Sequence, residues 1–177
     1  MCIIIDANAL GLVFNAETNE HEKFKPVLDW INNGKGKIVY GGTKYETELI
    51  KAGKLKLIKL YNDIGKAVYI CNKKVDDKQS EIEKRVNNPH FNDSHLVAIV
   101  YVSKCKLICS NDRDAYPFLK DSSIYQNEIP APKIYNKQSF RKHKQLLNDS
   151  NIAECCKPCS RTTKKQRESL NRNPYTL

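Results

Sequence analysis

The chain alternates between short, wholly apolar runs and longer segments in which apolar residues recur every three or four positions. Cys2 to Ile5 is a continuous run rich in β-branched residues, the pattern of a strand buried on both faces of a parallel sheet. Ala7 to Phe14 predicts one or two helical turns. Over Glu20 to Asn32, residues Phe24, Val27, Leu28 and Ile31 fall at helical spacing, and Asn33-Gly34 supplies a stop. Pro26 predicts a break or a helix start inside that segment. Lys37 to Tyr40 reads as a second strand, and a helix opens after Gly41-Gly42. Leu55 to Ile64 is amphipathic, with Lys56, Lys59 and Lys66 assigned to a mostly solvated face. Val68 to Cys71 reads as a third strand and Asp76 to Val86 as a polar surface helix.

The longest apolar run, His95 to Val102, has the length of a buried helix with Asp93 at its head. The strand-length run Lys106 to Cys109 follows and ends in Ser110-Asn111-Asp112-Arg113-Asp114. Ile129 to Pro132 is a Pro-punctuated loop, Lys133 to Tyr135 an edge strand and Gln138 to Leu147 a basic helix. The alternation predicts an α/β fold, a three-layer α/β/α arrangement with a mostly parallel central sheet. Ligands gather beyond the carboxyl ends of strands in such sheets. Two of those ends carry acids, Asp6 after the first strand and Asp112 after the fourth. From about residue 148 the apolar pattern stops. The chain therefore divides into a domain over 1–147 and a basic, Cys-containing tail over 148–177, expected to be flexible or ordered by a partner.

A length of 177 residues suits one domain with a sizeable core. No apolar run approaches the roughly 20 residues of a membrane span, which predicts no membrane partner. Met1 leads straight into a strand pattern, which predicts no secretory signal. With seven cysteines, that points to a reducing, cytoplasmic setting and unpaired thiols. The net charge of +10 comes from 24 Lys and only 6 Arg. Lysines attract phosphates but read bases poorly, so a polyanion bound with little sequence readout is one expectation. A merely soluble Lys-rich surface is the other. The tail residues Lys164, Lys165 and Arg167 are the candidate nucleic-acid contacts.

Four acids stand at predicted element ends: Asp6, Glu48, Asp93 and Asp112, with Asp114 as a fifth. Each has a plain structural reading. Asp6, Asp93 and Asp112 can each cap the helix that follows. Thr43 and Glu46 have the spacing of a capping box, which assigns Glu46 to structure. Glu48, about 200° around the same helix, is left free. As a group the acids say more. Two carboxylates about 5 Å apart repel by roughly 3 kcal/mol at an effective dielectric of 20. Four together call for a divalent cation, and hard oxygen ligands suit Mg²⁺ or Mn²⁺. Such ions generate a nucleophilic hydroxide and stabilise a leaving oxygen.

The segments IIIDANAL, YETEL and NDSHLVAIVYVSKCKLICSNDRDA resemble the PIN-domain nucleases over roughly residues 1–147. The resemblance sets Asp6, Glu48, Asp93 and Asp112 on that family's acidic quartet and Asp114 on its less regular fifth site. Asp6, Asp93, Asp112 and Asp114 would hold metal, with Asn8 and Ser110 in supporting positions. It implies a Mg²⁺- or Mn²⁺-dependent nuclease, most often an endoribonuclease on single-stranded RNA. Small members are frequently toxins of the VapC type held by an antitoxin, so an antitoxin or other protein partner, or a homodimer, joins nucleic acid among the expected partners. The connection from Ala67 to Asn88 and the tail have no counterpart in the pattern. A DNA or flap nuclease of the same fold, and a non-catalytic module binding nucleic acid or protein, are the rival readings.

Other features carry less. Cys155-Cys156-Lys157-Pro158-Cys159 offers a C-x-x-C without a second pair nearby, and closed zinc sites take four ligands. Cys105 and Cys109 read as small core residues. The histidines show no metal spacing; His95, beside Asp93, reads first as a partly buried structural histidine and second as a substrate contact. No phosphate-binding G-x-x-x-x-G-K-[ST] loop is present.

Overall fold

The computed structural model of the chain describes residues 2–126, 128–148 and 152–171. Among these, five strands, β1 (Cys2–Ile5), β2 (Lys37–Gly41), β3 (Ala67–Ile70), β4 (Leu107–Cys109) and β5 (Lys133–Tyr135), form one sheet in the order β3-β2-β1-β4-β5. Every pairing is parallel, with Ile3 beside Ile38 and Ile5 beside Cys109. All strands therefore begin at one edge of the sheet and end at the other. Cys2 to Ile5 are wholly buried, as a run without polar alternation requires.

Among the described residues nine helices cover the sheet in a three-layer α/β/α arrangement. They are α1 (Ala7–Phe14), α2 (His21–Asn32), α3 (Thr43–Lys51), α4 (Leu55–Asp63), α5 (Asn72–Val86), α6 (Ser94–Ser103), α7 (Tyr116–Lys120), α8 (His143–Leu146) and α9 (Lys164–Asn171). The apolar helix α6 lies against β1, β2 and β3, with α5 packed on it. Leu96, Val97, Ile99 and Val100 are buried there, each contributing roughly 1.5–3 kcal/mol. Strand order reverses between β1 and β4, which leaves a crevice at the carboxyl edge between them. Among the described residues no helix is long and apolar enough to cross a membrane.

Four local expectations are corrected. Helix α2 runs through Pro26 without a break. The proline removes only one N–H, the carbonyl it would have met belongs to exposed Glu22, and buried Phe24, Val27 and Ile31 hold the helix. The Thr43–Glu46 capping box does not form. Gly42 takes the N-cap position at φ 89°, and a Cβ on it would meet Val75 Cγ1 at 2.6 Å. Asp76 of α5 caps α3 instead, accepting from Thr43 N at 2.8 Å and Thr43 Oγ1 at 2.6 Å. The basic segment before α8 begins as a 3-10 turn over Lys137–Lys142, closed by an Asn136–Ser139 capping box. The segment read as a polar surface helix begins at Asn72 and buries Val75 and Ile82.

The tail is the largest difference. Residues 152–171 pack along the edge where the strands begin. Ala153 N–H meets Cys2 Sγ at 3.2 Å, and Cys155 Sγ donates to Ser103 O at 3.2 Å. Lys66 Nζ donates to Ser160 O at 3.3 Å, Thr162 Oγ1 donates to Asn32 O, and Gln166 Nε2 to Ile64 O at 2.7 Å. Ala153, Cys156, Thr162 and Leu170 are buried. A segment with few apolar residues docks here by filling backbone acceptors of the loops that lead into the strands. It also brings Cys155 and Cys156, 3.7 Å apart, against Cys2, which in turn contacts Cys105. All seven cysteines are reduced. Arg172, one of the tail's cations, lies outside the described residues.

Lys66, expected on a solvated face, is 2% exposed beneath the tail. Its Nζ also donates to Gly34 O at 3.1 Å, and burial lowers its pKa from 10.5 to about 8. Below about pH 8 the folded and unfolded chains are both protonated at Lys66, and the cost of burying the charge is fully present. Between pH 8 and 10.5 the folded chain releases its proton first, so stability rises with pH. Lys66→Met removes this dependence. Its stability advantage over the parent is expected to shrink by about 3 kcal/mol between pH 7 and pH 10.5, read from urea melts. A difference that does not change with pH would rule this out.

Candidate active site

Asp6 follows β1 as the N-cap of α1. One carboxylate oxygen accepts from Asn8 N at 3.1 Å, the other from Ser110 Oγ at 2.7 Å. The same Ser110 oxygen accepts from Asp112 N at 3.1 Å. Ser110 is fully buried and thereby ties the end of β1 to the end of β4 across the switch point. Asp112 Oδ1 accepts from Asp114 N at 2.9 Å, which fixes its side chain in a local turn rather than on a helix cap. The N-cap of α7 is Ala115.

Asp93 occupies the N-cap position of α6, yet its carboxylate makes no capping hydrogen bond. The helix start is tied elsewhere, with Ser94 Oγ donating to Glu83 Oε1 at 2.5 Å. The simple capping explanation therefore holds for Asp6 and fails for Asp93 and Asp112. Glu48 projects from α3 into a cleft of about 410 Å³ that it shares with Ala7, Asn8, Lys51, Ala52 and Asp93. Glu46 lies elsewhere, accepting from Asn72 Nδ2 at 2.9 Å.

Electrostatics link the acids. Burial pushes the Asp6 carboxyl above its ordinary range despite its donors at Ser110 and Asn8. Burial also raises Asp93, and the charges of Asp6, Asp112 and Glu48 add to the rise. Glu48 moves the other way: burial pushes it up, but His95, Lys44 and Lys51 outweigh burial and lower it. Shifts of opposite sign among neighbouring carboxyls in a cleft make a candidate functional site. Asp114 is exposed, and among the described residues it joins through its backbone N–H.

His95, read from sequence as structural, belongs to the site. It is wholly buried, with Nε2 3.1 Å from Glu48 Oε2. The contact lies outside hydrogen-bond alignment, so neither ring nitrogen has a hydrogen-bond partner among the described residues. The ring stacks on Tyr45 at 6.1 Å and 28°, and the Tyr45 hydroxyl donates to Ile5 O next to Asp6. Lys51 also lines this cleft, Lys44 acts on the charge of Glu48, and Glu83 holds Ser94, and no pattern in the sequence marks them. The tail cations Lys164, Lys165 and Arg167 are exposed, but α9 sits at the opposite edge of the sheet, so the fold does not bring them to the acids.

The donor set is hard oxygen, which fits a hard divalent cation in chemistry. Asp93 has a carboxylate unspent on capping, and a cation would offset the repulsion that raises it. Among the described residues no three His, Cys, Asp or Glu side chains are already gathered closely enough to hold a metal ion, so binding would require the carboxylates to turn inward. No family model matches this chain, and neither a curated protein nor a solved structure matches it at a significant level.

Proposed function

We propose that the chain is a metal-dependent endonuclease of the PIN-domain type that hydrolyses single-stranded RNA. The observation that supports this reading is the Ser110 bridge, which ties the Asp6 carboxylate to the main chain of Asp112 at the switch point, while Asp93 feels the charges of Asp6, Asp112 and Glu48. Asp6, Asp93 and Asp112 would hold Mg²⁺ or Mn²⁺, which supplies a nucleophilic hydroxide and stabilises the leaving oxygen. Ser110 and the Asn8 N–H orient Asp6, and the Asp114 N–H orients Asp112. His95 positions Glu48 through its buried ring. Lys44 and Lys51 set positive charge beside the acids, where a phosphodiester would be drawn in. A cytoplasmic toxin restrained by an antitoxin is the setting the family resemblance implies.

The absence of three preassembled ligands among the described residues favours a second reading, a module that binds nucleic acid without cutting it. Labelled single-stranded RNA and DNA incubated with Mn²⁺, Mg²⁺ or EDTA separate the two. RNA cleavage in either metal, abolished by EDTA, is expected. Binding without cleavage under every metal condition would establish the second reading, and preferential DNA cleavage would reassign the substrate.

A further inference from the structure

The carboxyl edge of the sheet carries a second feature beside the acids. The 3-10 turn Lys137–Lys142 leaves β5 there, and a cleft of about 540 Å³ opens between Lys23, Lys137, Gln138, Phe140 and Arg141. Phe140 is 40% exposed, with its ring stacked on His143 at 5.8 Å. The cleft walls are fixed. Asn136 Oδ1 accepts from Gln138 N and Ser139 N, both at 3.0 Å, and Tyr135 Oη donates to Lys23 O at 2.8 Å. Lys23 and Lys137 share Glu20 at 3.1 and 3.5 Å, surface pairs that exchange at little cost for a phosphate.

Strand β5 is one spacing from β4 and two from β1, so the strand end from which the turn leaves lies about 5 Å sideways from the strand of Asp112 and about 10 Å from that of Asp6. Half-buried Tyr116 stands beside the same strand end, with its hydroxyl donating to Ser110 O at 2.9 Å and Lys120 Nζ 5.3 Å from its ring. A fixed cationic groove with isolated aromatic rings suits an unpaired strand, whose phosphates meet the cations while its bases stack. A duplex does not offer its base faces, and a protein partner calls for a contiguous apolar patch.

We infer that the cleft between α2 and the turn after β5 holds single-stranded RNA on its way to the acids, phosphates on Lys137 and Arg141 and a base on Phe140. The assignment rests on the ribonuclease reading above and moves the nucleic-acid contacts from the tail to the carboxyl edge. The test uses the full chain carrying Asp112→Asn, so that RNA is not consumed. Anisotropy of a short labelled single-stranded RNA is followed in Mg²⁺ at several salt concentrations. Adding Lys137→Gln, Phe140→Ala and Arg141→Gln together is expected to weaken binding at least tenfold. With two phosphates no longer neutralised by the protein, the log–log salt slope should become shallower by about 1.4. Phe140→Ala alone, an exposed change that spares the fold, is expected to cost about fivefold or more. Lys164→Gln, Lys165→Gln and Arg167→Gln together are expected to change neither affinity nor slope. The inference is overturned if the cleft variants bind like their parent, if the tail variant takes the loss, or if duplex RNA binds as well as single strands. An unsubstituted chain that cleaves RNA while the cleft variants bind normally would sink this assignment and leave the nuclease reading intact. Loss of binding in the cleft variants of a chain that never cleaves would do the reverse, and a parent that binds no RNA would overturn both.

Discussion

Asp112→Asn is expected to abolish metal-dependent cleavage, with a loss on the order of 10²–10³-fold, while leaving the fold intact. Among the described residues the carboxylate it replaces accepts the Asp114 N–H at 2.9 Å, a bond an amide oxygen still accepts. What is lost is a charge that acts on Asp93. Metal-free stability separates this explanation from a structural one. The Asp93 carboxyl is raised, first by burial and then by neighbouring acids that include Asp112. The folded chain thus holds its proton more tightly than the unfolded chain does, so stability falls as pH rises from the ordinary carboxylate range through the raised folded value. Once pH exceeds that raised value the penalty is fully present. In EDTA, Asp112→Asn is therefore expected to melt at or above the parent temperature, and the gain should vanish in acid where the carboxyls are protonated. Mn²⁺ at about a hundred times its dissociation constant should stabilise the parent by roughly 2.7 kcal/mol and the variant far less. A variant that melts below the parent in EDTA yet retains its specific activity would refute the metal assignment.

The two glutamates of α3 are expected to separate sharply. Glu48→Gln should lower turnover on the order of 10²-fold, because Glu48 faces the cleft with Asp93 and Lys51 and meets buried His95. Glu46→Gln should stay within about twofold of the parent, since its contact is a hydrogen bond from Asn72 that a glutamine oxygen also accepts, at a net worth of about 1 kcal/mol. Turnover numbers measured at saturating RNA for the two variants decide the matter. A silent Glu48→Gln beside a crippled Glu46→Gln would place the wrong face of α3 in the site.

That Glu48 and Glu46 face different ways is legible from helical geometry, although the capping box that first separated them does not form. A T-x-x-E spacing describes what a helix start can do for itself. It contains nothing about Asp76, 33 residues further on, whose carboxylate reaches Thr43 first. Asp93 shows the converse. Its place at the head of an apolar run reads as a cap, and only the packed structure shows Ser94 tied to Glu83 and the Asp93 carboxylate left over.

What the sequence by itself determined is what local periodicity encodes. Wholly apolar β-branched runs suit buried parallel strands, the run His95 to Val102 is long enough for an interior helix, and acids at the ends of parallel strands share one edge of the sheet. Tertiary structure alone decided which distant groups share a desolvated space. Lys66 reads as one more solvated lysine until residues 152–171 cover it. Cys2 and Cys105 lie far in sequence from Cys155 and Cys156, yet all four meet where the strands begin. The cations of α9 and those of the turn after β5 are alike in sequence, yet the tail's bonds to Asn32 and Ile64 hold α9 where the strands begin, while the turn leaves the end of β5. The physical reason is the same in each case. Hydrophobic pattern is written into neighbouring residues, whereas burial of a charge, and the edge a charge occupies, depend on how segments far apart in the chain pack together.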